Sequence, residues 1–253
     1  MRGVNLPFLL AMLFLAGCAR EESAHKELVI AAAASLRPVM PLLAERFRQK
    51  QPGEEVLVTY GASGDLRRQV ELGAPIDAVF FAAAEPVDRL DQAGLLDAST
   101  RRVVATNELV LIGPKEAPPV TFAELSTLGK EAKLAIGEPA AVPAGQYARE
   151  ALRTLGSWDA VQPHLVFGGD VAGVLSYARR GEVRAAIVYR TEVAGFADVA
   201  IYDVAQTAWS PRPEVVAAVT RHGQRSFRAK AFLDFTSSAE GQKAFLAKGF
   251  GSP

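Results

Sequence analysis

Two residue types used in catalytic and metal sites are scarce in this 253-residue chain: one cysteine, Cys18, and three histidines, His25, His164 and His222. A single cysteine cannot form an internal disulfide, and the histidines lack the spacing of a metal site or a catalytic triad. The 28 basic residues balance the 28 acidic ones and are scattered along the chain. The sequence therefore shows no concentration of positive charge of the kind that binds nucleic acid.

The chain also lacks an apolar run long enough to span a bilayer. The run from Leu6 to Gly17 follows the lone charge of Arg2 and falls short of the ~20 residues that a spanning helix needs. This pattern predicts a signal peptide over 1–17. It ends in Leu15-Ala16-Gly17-Cys18, which resembles a bacterial lipoprotein signal. The resemblance implies a lipid on Cys18, a tether over 18–26, and a periplasmic or otherwise extracytoplasmic protein anchored to a membrane.

The remaining chain alternates short apolar segments with amphipathic ones and contains no repeat. This alternation predicts an α/β fold with mostly parallel sheets flanked by helices. The predicted strands are 28–30, 56–60, 76–82, an interrupted stretch over 101–112, 134–137, 165–167, 185–189, 199–202 and 215–219. Helices are predicted after Ser35 and Ser63, over 85–93 and 120–128, after 142–145 and 168–171, and over 225–235 and 239–247.

At four crossings, where a predicted strand or loop leads into a helix, the chain runs through small residues: at Ser35, Ser63, Ala144 and Asp170-Val171. Taken alone, Ser35 is typical of an N-cap. However, ligands of open α/β sheets bind beyond the carboxyl ends of the strands, where helix amino termini favour an anion. Two crossings fall in each half of the chain, as expected for two lobes that face each other across a cleft.

The sequence motifs of enzymes and nucleotide-binding proteins that these crossings partly match are incomplete. Gly61-Ala62-Ser63-Gly64 begins like a nucleophile elbow, but Asp65 replaces the final glycine. Gly168 to Gly173 has P-loop spacing, but Val174 stands where lysine is required, and Asp170 breaks the dinucleotide fingerprint. The sequence therefore predicts a binding protein and not an enzyme.

From about Leu28 to Phe250 the chain resembles the molybdate-binding component of bacterial ABC uptake systems. The segments that carry the resemblance are Ala32-Ala33-Ala34-Ser35-Leu36, Ala62-Ser63, Val142-Pro143-Ala144-Gly145-Gln146-Tyr147-Ala148, Asp170-Val171 and Ile187-Val188-Tyr189. The Val-Pro-Ala-Gly segment followed by Tyr-Ala is the most specific of them.

The resemblance implies a site for molybdate or tungstate that is made of hydrogen-bond donors, with no cofactor and no metal cation. By resemblance, Ser35 and Ser63 contribute hydroxyl and backbone N–H groups, Ala144 and Val171 contribute backbone N–H groups, and Tyr189 contributes its phenol. Without the resemblance, Ala144 and Val171 are ordinary helix starts and Tyr189 is a strand aromatic.

Two features depart from the family pattern. Ser63 lies between Ala62 and Gly64, where relatives can be richer in serine. Pro38 and Pro41 follow Ser35 closely, and a proline inside a helix loses a hydrogen bond and clashes. We therefore expect an irregular first turn after Ser35 and a regular helix that starts near Pro41.

The implied fold is a two-lobed, type II periplasmic-binding-protein-like fold with two crossover hinge strands. We place the first lobe at 27–105 and 213–253, with Ser35 and Ser63, and the second at 106–212, with Ala144, Val171 and Tyr189. The implied partners are the oxyanion and the membrane permease of an ABC transporter, and the protein is expected to be a monomer.

Three alternatives stay open at this point. The protein could bind another tetrahedral oxyanion, such as sulfate or phosphate. It could be an enzyme of similar shape, against which the missing acid, base and nucleophile argue. It could be the effector domain of a transcription regulator, which would need a DNA-binding module where residues 1–27 supply a signal segment.

Overall fold

A computed structural model describes residues 27–129, 131–221 and 226–253. Cys18, His25, His222, the predicted signal peptide (1–17) and the predicted tether (18–26) lie outside these residues. The strands are β1 (Leu28–Ala33), β2 (Val56–Gly61), β3 (Ala78–Phe81), β4 (Arg102–Thr106), β5 (Leu109–Pro114), β6 (Leu134–Gly137), β7 (Leu165–Gly168), β8 (Ala185–Tyr189), β9 (Val199–Val204) and β10 (Glu214–Val219). The α-helices are α1 (Met40–Lys50), α2 (Ser63–Glu71), α3 (Ala84–Gln92), α4 (Pro143–Thr154), α5 (Trp158–Val161), α6 (Val171–Arg179), α7 (Arg190–Val193), α8 (Ser226–Ser237) and α9 (Ala239–Ala247). Among these helices, none is long and apolar enough to cross a membrane.

The first sheet has the strand order β2-β1-β3-β10-β4. Strand β1 pairs in parallel with β2 and β3, whereas β10 is antiparallel to β3 and β4. Both faces of the sheet are covered: Phe80 packs into the core on one face and Phe81 into a second core cluster on the other. Because the central strands are buried on both faces, they consist of small and apolar residues, except for Glu214 at the start of β10.

The second sheet has the order β7-β6-β8-β5-β9. Strand β6 is parallel to β7 and β8, and β5 is antiparallel to β8 and β9. We call the first sheet with α1–α3, α8 and α9 the first lobe, and the second sheet with α4–α7 the second lobe. The residue limits predicted for the lobes, 27–105 with 213–253 and 106–212, stay a prediction.

The chain passes between the two sheets twice, from β4 to β5 and from β9 to β10. Asn107, which interrupts the extended stretch predicted over 101–112, lies at the first passage and is buried. Its backbone N–H donates to the carbonyl of Pro213 at 2.8 Å, and its side-chain amide donates to Thr191 Oγ1 at 2.8 Å. Asn107 therefore ties the two passages and the second lobe together.

Two local predictions can be compared with the structure. The irregular turn after Ser35 is confirmed: Ala34–Leu36 is a 3-10 helix, and the α-helix starts at Met40 with Pro41 in its first turn. The short helix predicted over 120–128 is confirmed, and Phe122–Thr127 is a 3-10 helix. It begins with a capping box between Thr121 and Glu124 and ends where Leu128 turns extended.

Candidate functional site

Ser35 follows the carboxyl end of β1, a strand that lies between β2 and β3 in the first sheet. It sits inside the 3-10 helix and is 3% exposed. The N-cap role that is typical of a lone serine is wrong here, because Ala33 precedes the 3-10 helix and no side chain caps it. Within the described chain, neither the Ser35 hydroxyl nor its backbone N–H has a hydrogen-bond partner. Both groups are therefore free to donate to a ligand.

Ser63 is the first residue of α2 and is fully buried. Its hydroxyl oxygen accepts the backbone N–H of Ala82 at 3.3 Å, so its proton is left to donate elsewhere. The Ser63 backbone N–H is one of the first four of its helix, which have no acceptor inside the helix. The amino-terminal end of α2 therefore presents a hydroxyl and an amide that can both donate to an anion.

The second lobe supplies two more helix starts. Ala144 is the second residue of α4, after Pro143, and Val171 is the first residue of α6. Both are buried, and neither backbone N–H has an acceptor in the described part of the chain. Asp170 is the N-cap of α6 and not a first-turn residue, and its Oδ1 accepts the N–H of Gly173 at 2.8 Å.

Tyr189 ends β8 and is 1% exposed. Burial raises the pKa of its phenol well above the usual value of 10, so the hydroxyl stays protonated and can donate. The hydroxyl reaches across to the first lobe and donates to the carbonyl of Ala82 at 3.3 Å. This is a long hydrogen bond, which a ligand oxygen could replace.

Four of the five predicted site residues line one cavity between the lobes: Ser35, Ser63, Val171 and Tyr189. Ala144 does not line it, but Val142 and Pro143, which precede Ala144, do. The enclosed space is about 10 Å³, close to the ~10–15 Å³ that one water molecule needs. The lobes are thus nearly shut over the site.

Among the described residues, the cavity wall contains no lysine or arginine, and Asp170 is its one charged residue. The favourable potential for an anion therefore comes from backbone N–H groups and from the amino-terminal ends of α2, α4 and α6. Among the residues that the structure describes, no cluster of His, Cys, Asp or Glu could hold a metal ion. This arrangement can bind an anion by hydrogen bonds alone.

Sequence reasoning missed one buried group close to the site, Glu192 of α7, which follows Tyr189. It is 9% exposed, and its Oε1 has no hydrogen-bond partner in the described part of the chain. Burial and the negative charge of Asp170 raise its pKa to about 7. No local pattern marks Glu192 as buried, because a short helix that also carries Arg190 is typical of a surface.

Two α/β lobes, a chain that passes twice between them, and a donor-lined cavity where they meet define the type II periplasmic class of binding proteins. The chain belongs to the bacterial extracellular solute-binding protein family, whose sequence profile matches residues 28–251. Members of this family bind solutes, so the prediction that the chain is not an enzyme is confirmed.

Two relatives match nearly the whole chain. YvgL of Bacillus subtilis (strain 168), provisionally named an ABC transporter substrate-binding lipoprotein, is 34% identical over 96% of this chain and 95% of its own length. The molybdate-binding protein ModA of Haemophilus influenzae is 32% identical over 94% of this chain and 95% of its own length.

Two solved structures share the fold. The periplasmic molybdate-binding protein of Azotobacter vinelandii superposes with a TM-score of 0.80 at 22% identity, over 90% of this chain and 100% of that one. The sulfate-binding protein SubI of Mycobacterium tuberculosis superposes with a TM-score of 0.77 at 20% identity, over 89% and 86%. The predicted two-lobed α/β fold is therefore confirmed, except that its sheets are mixed and not mostly parallel. The fold alone does not choose between the two anions.

Proposed function

We propose that this protein binds molybdate, and tungstate similarly, outside the cytoplasm and delivers it to the permease of an ABC transporter. The observation that carries the proposal is the cavity in which Ser35, Ser63, Val171 and Tyr189 converge, with Pro143, the residue before Ala144, also in its wall. The first four of these contribute donors, and the binding needs no cofactor. The relative named as molybdate-binding over nearly its whole length supports the choice of anion.

Protonation distinguishes phosphate from the other candidates. Near neutral pH, phosphate carries at least one proton, which needs an acceptor. Asp170 is the one carboxylate among the described residues of the wall, and its Oδ1 caps α6 by accepting the N–H of Gly173 at 2.8 Å. We assign Asp170 this capping role and not that of an acceptor for a phosphate proton. An unpaired buried donor costs ~1–3 kcal/mol, or roughly tenfold or more in affinity. Molybdate and tungstate are fully deprotonated and avoid this cost.

Sulfate is the second candidate, because it is also unprotonated and the sulfate-binding SubI shares the fold. Size must then separate sulfate from molybdate. Donors fixed on two lobes that close around the larger tetrahedron leave sulfate with stretched hydrogen bonds, which weaken steeply with distance. We therefore expect sulfate to bind much more weakly than molybdate.

Calorimetric titration with molybdate, tungstate, sulfate and phosphate near pH 7.5 tests this proposal. We expect similar affinities for molybdate and tungstate, much weaker binding of sulfate and negligible binding of phosphate. Comparable affinities for phosphate and molybdate would contradict the donor-only site. Sulfate binding tighter than molybdate binding would establish the alternative.

We also propose that the protein is a monomer anchored to a membrane through a lipid on Cys18, where it meets the permease. Cys18 lies outside the described residues, so the support comes from the Leu15–Cys18 pattern and from the lipoprotein name of YvgL. The anchor would keep the protein near its permease without a membrane-spanning helix.

A further inference from the structure

A large polar groove lies between the lobes, separate from the small cavity. Its volume is about 720 Å³. Four arginines line it: Arg67 of α2 and Arg89 of α3 in the first lobe, and Arg149 and Arg153 of α4 in the second. The inner cavity, by contrast, has no lysine or arginine in the part of its wall that the structure describes. The groove therefore carries arginine side chains that the described wall of the cavity does not.

The groove and the cavity lie on opposite sides of one contact between the lobes. Gly64 and Ala141 line the groove, and their neighbours Ser63 and Val142 line the cavity. The backbone N–H of Gly64 donates to the carbonyl of Ala141 at 3.1 Å, across the two lobes. The Gly64–Ala141 contact therefore lies beside both the groove and the cavity.

The arginines of the two lobes differ in their partners. In the first lobe, Arg67 pairs with Glu71 and Arg89 with Glu85. In the second lobe, neither Arg149 nor Arg153 forms an ion pair with any carboxylate of the described residues. Arg153 stacks over the ring of Trp158, with its guanidinium carbon 5.7 Å from the ring centre. Glu85 and Glu150 also line the groove, and Glu85 pairs with Arg89. Because neither glutamate pairs with Arg149 or Arg153 among the described residues, these two guanidinium charges can act on a dissolved anion.

We propose that this groove is an outer anion site, in which Arg149 and Arg153 hold a dianionic oxyanion before the lobes close over it in the inner cavity. The proposal rests on the proposed function, since it takes the dianion to be the ligand of the inner site. The outer site raises the local concentration of the anion and so speeds association. It leaves the donors that hold the bound anion unchanged.

Stopped-flow kinetics of molybdate, tungstate and sulfate binding test the outer site. Arg149→Gln and the double variant with Arg153→Gln should lower the association rate constant roughly fivefold or more at about 10 mM salt, where charges act over ~30 Å. The dissociation rate constant should change less than twofold, and the difference in association should shrink at high salt. Arg149→Lys, which keeps the charge, should retain the wild-type rate.

Arg48→Gln is the matched control, because Arg48 lines a different groove on the first lobe and its loss changes the net charge equally. Its association rate should stay near that of the wild type. Tight molybdate binding with an association rate that is unchanged in the double variant would overturn the outer site alone. A wild-type protein that binds none of the three dianions would overturn both the outer site and the proposed function.

Discussion

Replacing Glu192 by Gln should make the protein more stable at neutral pH. Glu192 is 9% exposed, and its Oε1 has no partner among the described residues. Burial is the largest influence on its carboxyl group, followed by the nearby charge of Asp170, and the Arg37 guanidinium offsets part of both. Together they raise the pKa of Glu192 from the ordinary 4.5 to about 7.

The direction of the effect follows from which state binds the proton. Below pH 4.5 both the folded and the unfolded protein carry a protonated Glu192. Between pH 4.5 and 7 the unfolded chain loses this proton while the folded protein keeps it, so stability falls as pH rises. At ~1.4 kcal/mol for each unit of pKa difference, the loss reaches about 3 kcal/mol above pH 7. Gln is neutral in both states and avoids that loss.

Urea denaturation of the wild type and of Glu192→Gln at pH values from 4 to 8.5 measures the effect. The difference in free energy of unfolding should be near zero at pH 4, grow through pH 5–7 and level off above pH 7. Glu116→Gln, at an exposed position of the second lobe, is the control and should show no such growth. A difference between wild type and Glu192→Gln that stays flat with pH would refute the argument from burial.

Three further outcomes are expected. Tyr189→Phe should weaken molybdate binding, measured by calorimetry, by ~1.5–3 kcal/mol, the range for a hydrogen bond to a charged group. Tyr202→Phe is the control: the Tyr202 hydroxyl donates to the Pro114 carbonyl in the second lobe, so its loss should leave the affinity for molybdate unchanged. Molybdate at 100 times its Kd should add ~2.7 kcal/mol to the free energy of unfolding and raise the Tm by several degrees. It should also reduce the radius of gyration measured by solution scattering. Tight binding with an unchanged radius of gyration would argue against lobe closure. Cys18→Ser should remove the protein from the membrane fraction, and a variant that stays there after normal processing would disprove the lipid anchor.

The strands and the principal helices were predictable because their patterns are local. The apolar segment before Ser35 and the helical spacing after it place the serine at the end of β1, and Pro38 and Pro41 explain its irregular first turn. The capping box at Thr121 and Glu124 is local too, but it does not distinguish a 3-10 helix from an α-helix.

Contacts between distant segments were not predictable in the same way. The hydrogen bond between Gly64 and Ala141 depends on how the two lobes meet. The burial of Glu192 depends on the elements packed around α7, which its own neighbours in sequence do not reveal. For the same reason the arginine-lined groove has no sequence signature, since its arginines come from three helices in two lobes.

The division of the cavity wall between the lobes bears on how a bound anion would leave. Ser35 and Ser63 belong to one lobe, while Val171 and Tyr189 belong to the other. Each lobe alone therefore offers only part of the set of hydroxyl and N–H donors. The affinity for the anion would then depend on how closely the two lobes approach each other. A partner that pulls the lobes apart can release the anion without a proton transfer, because the hydroxyl and N–H groups that donate to the anion keep their protons.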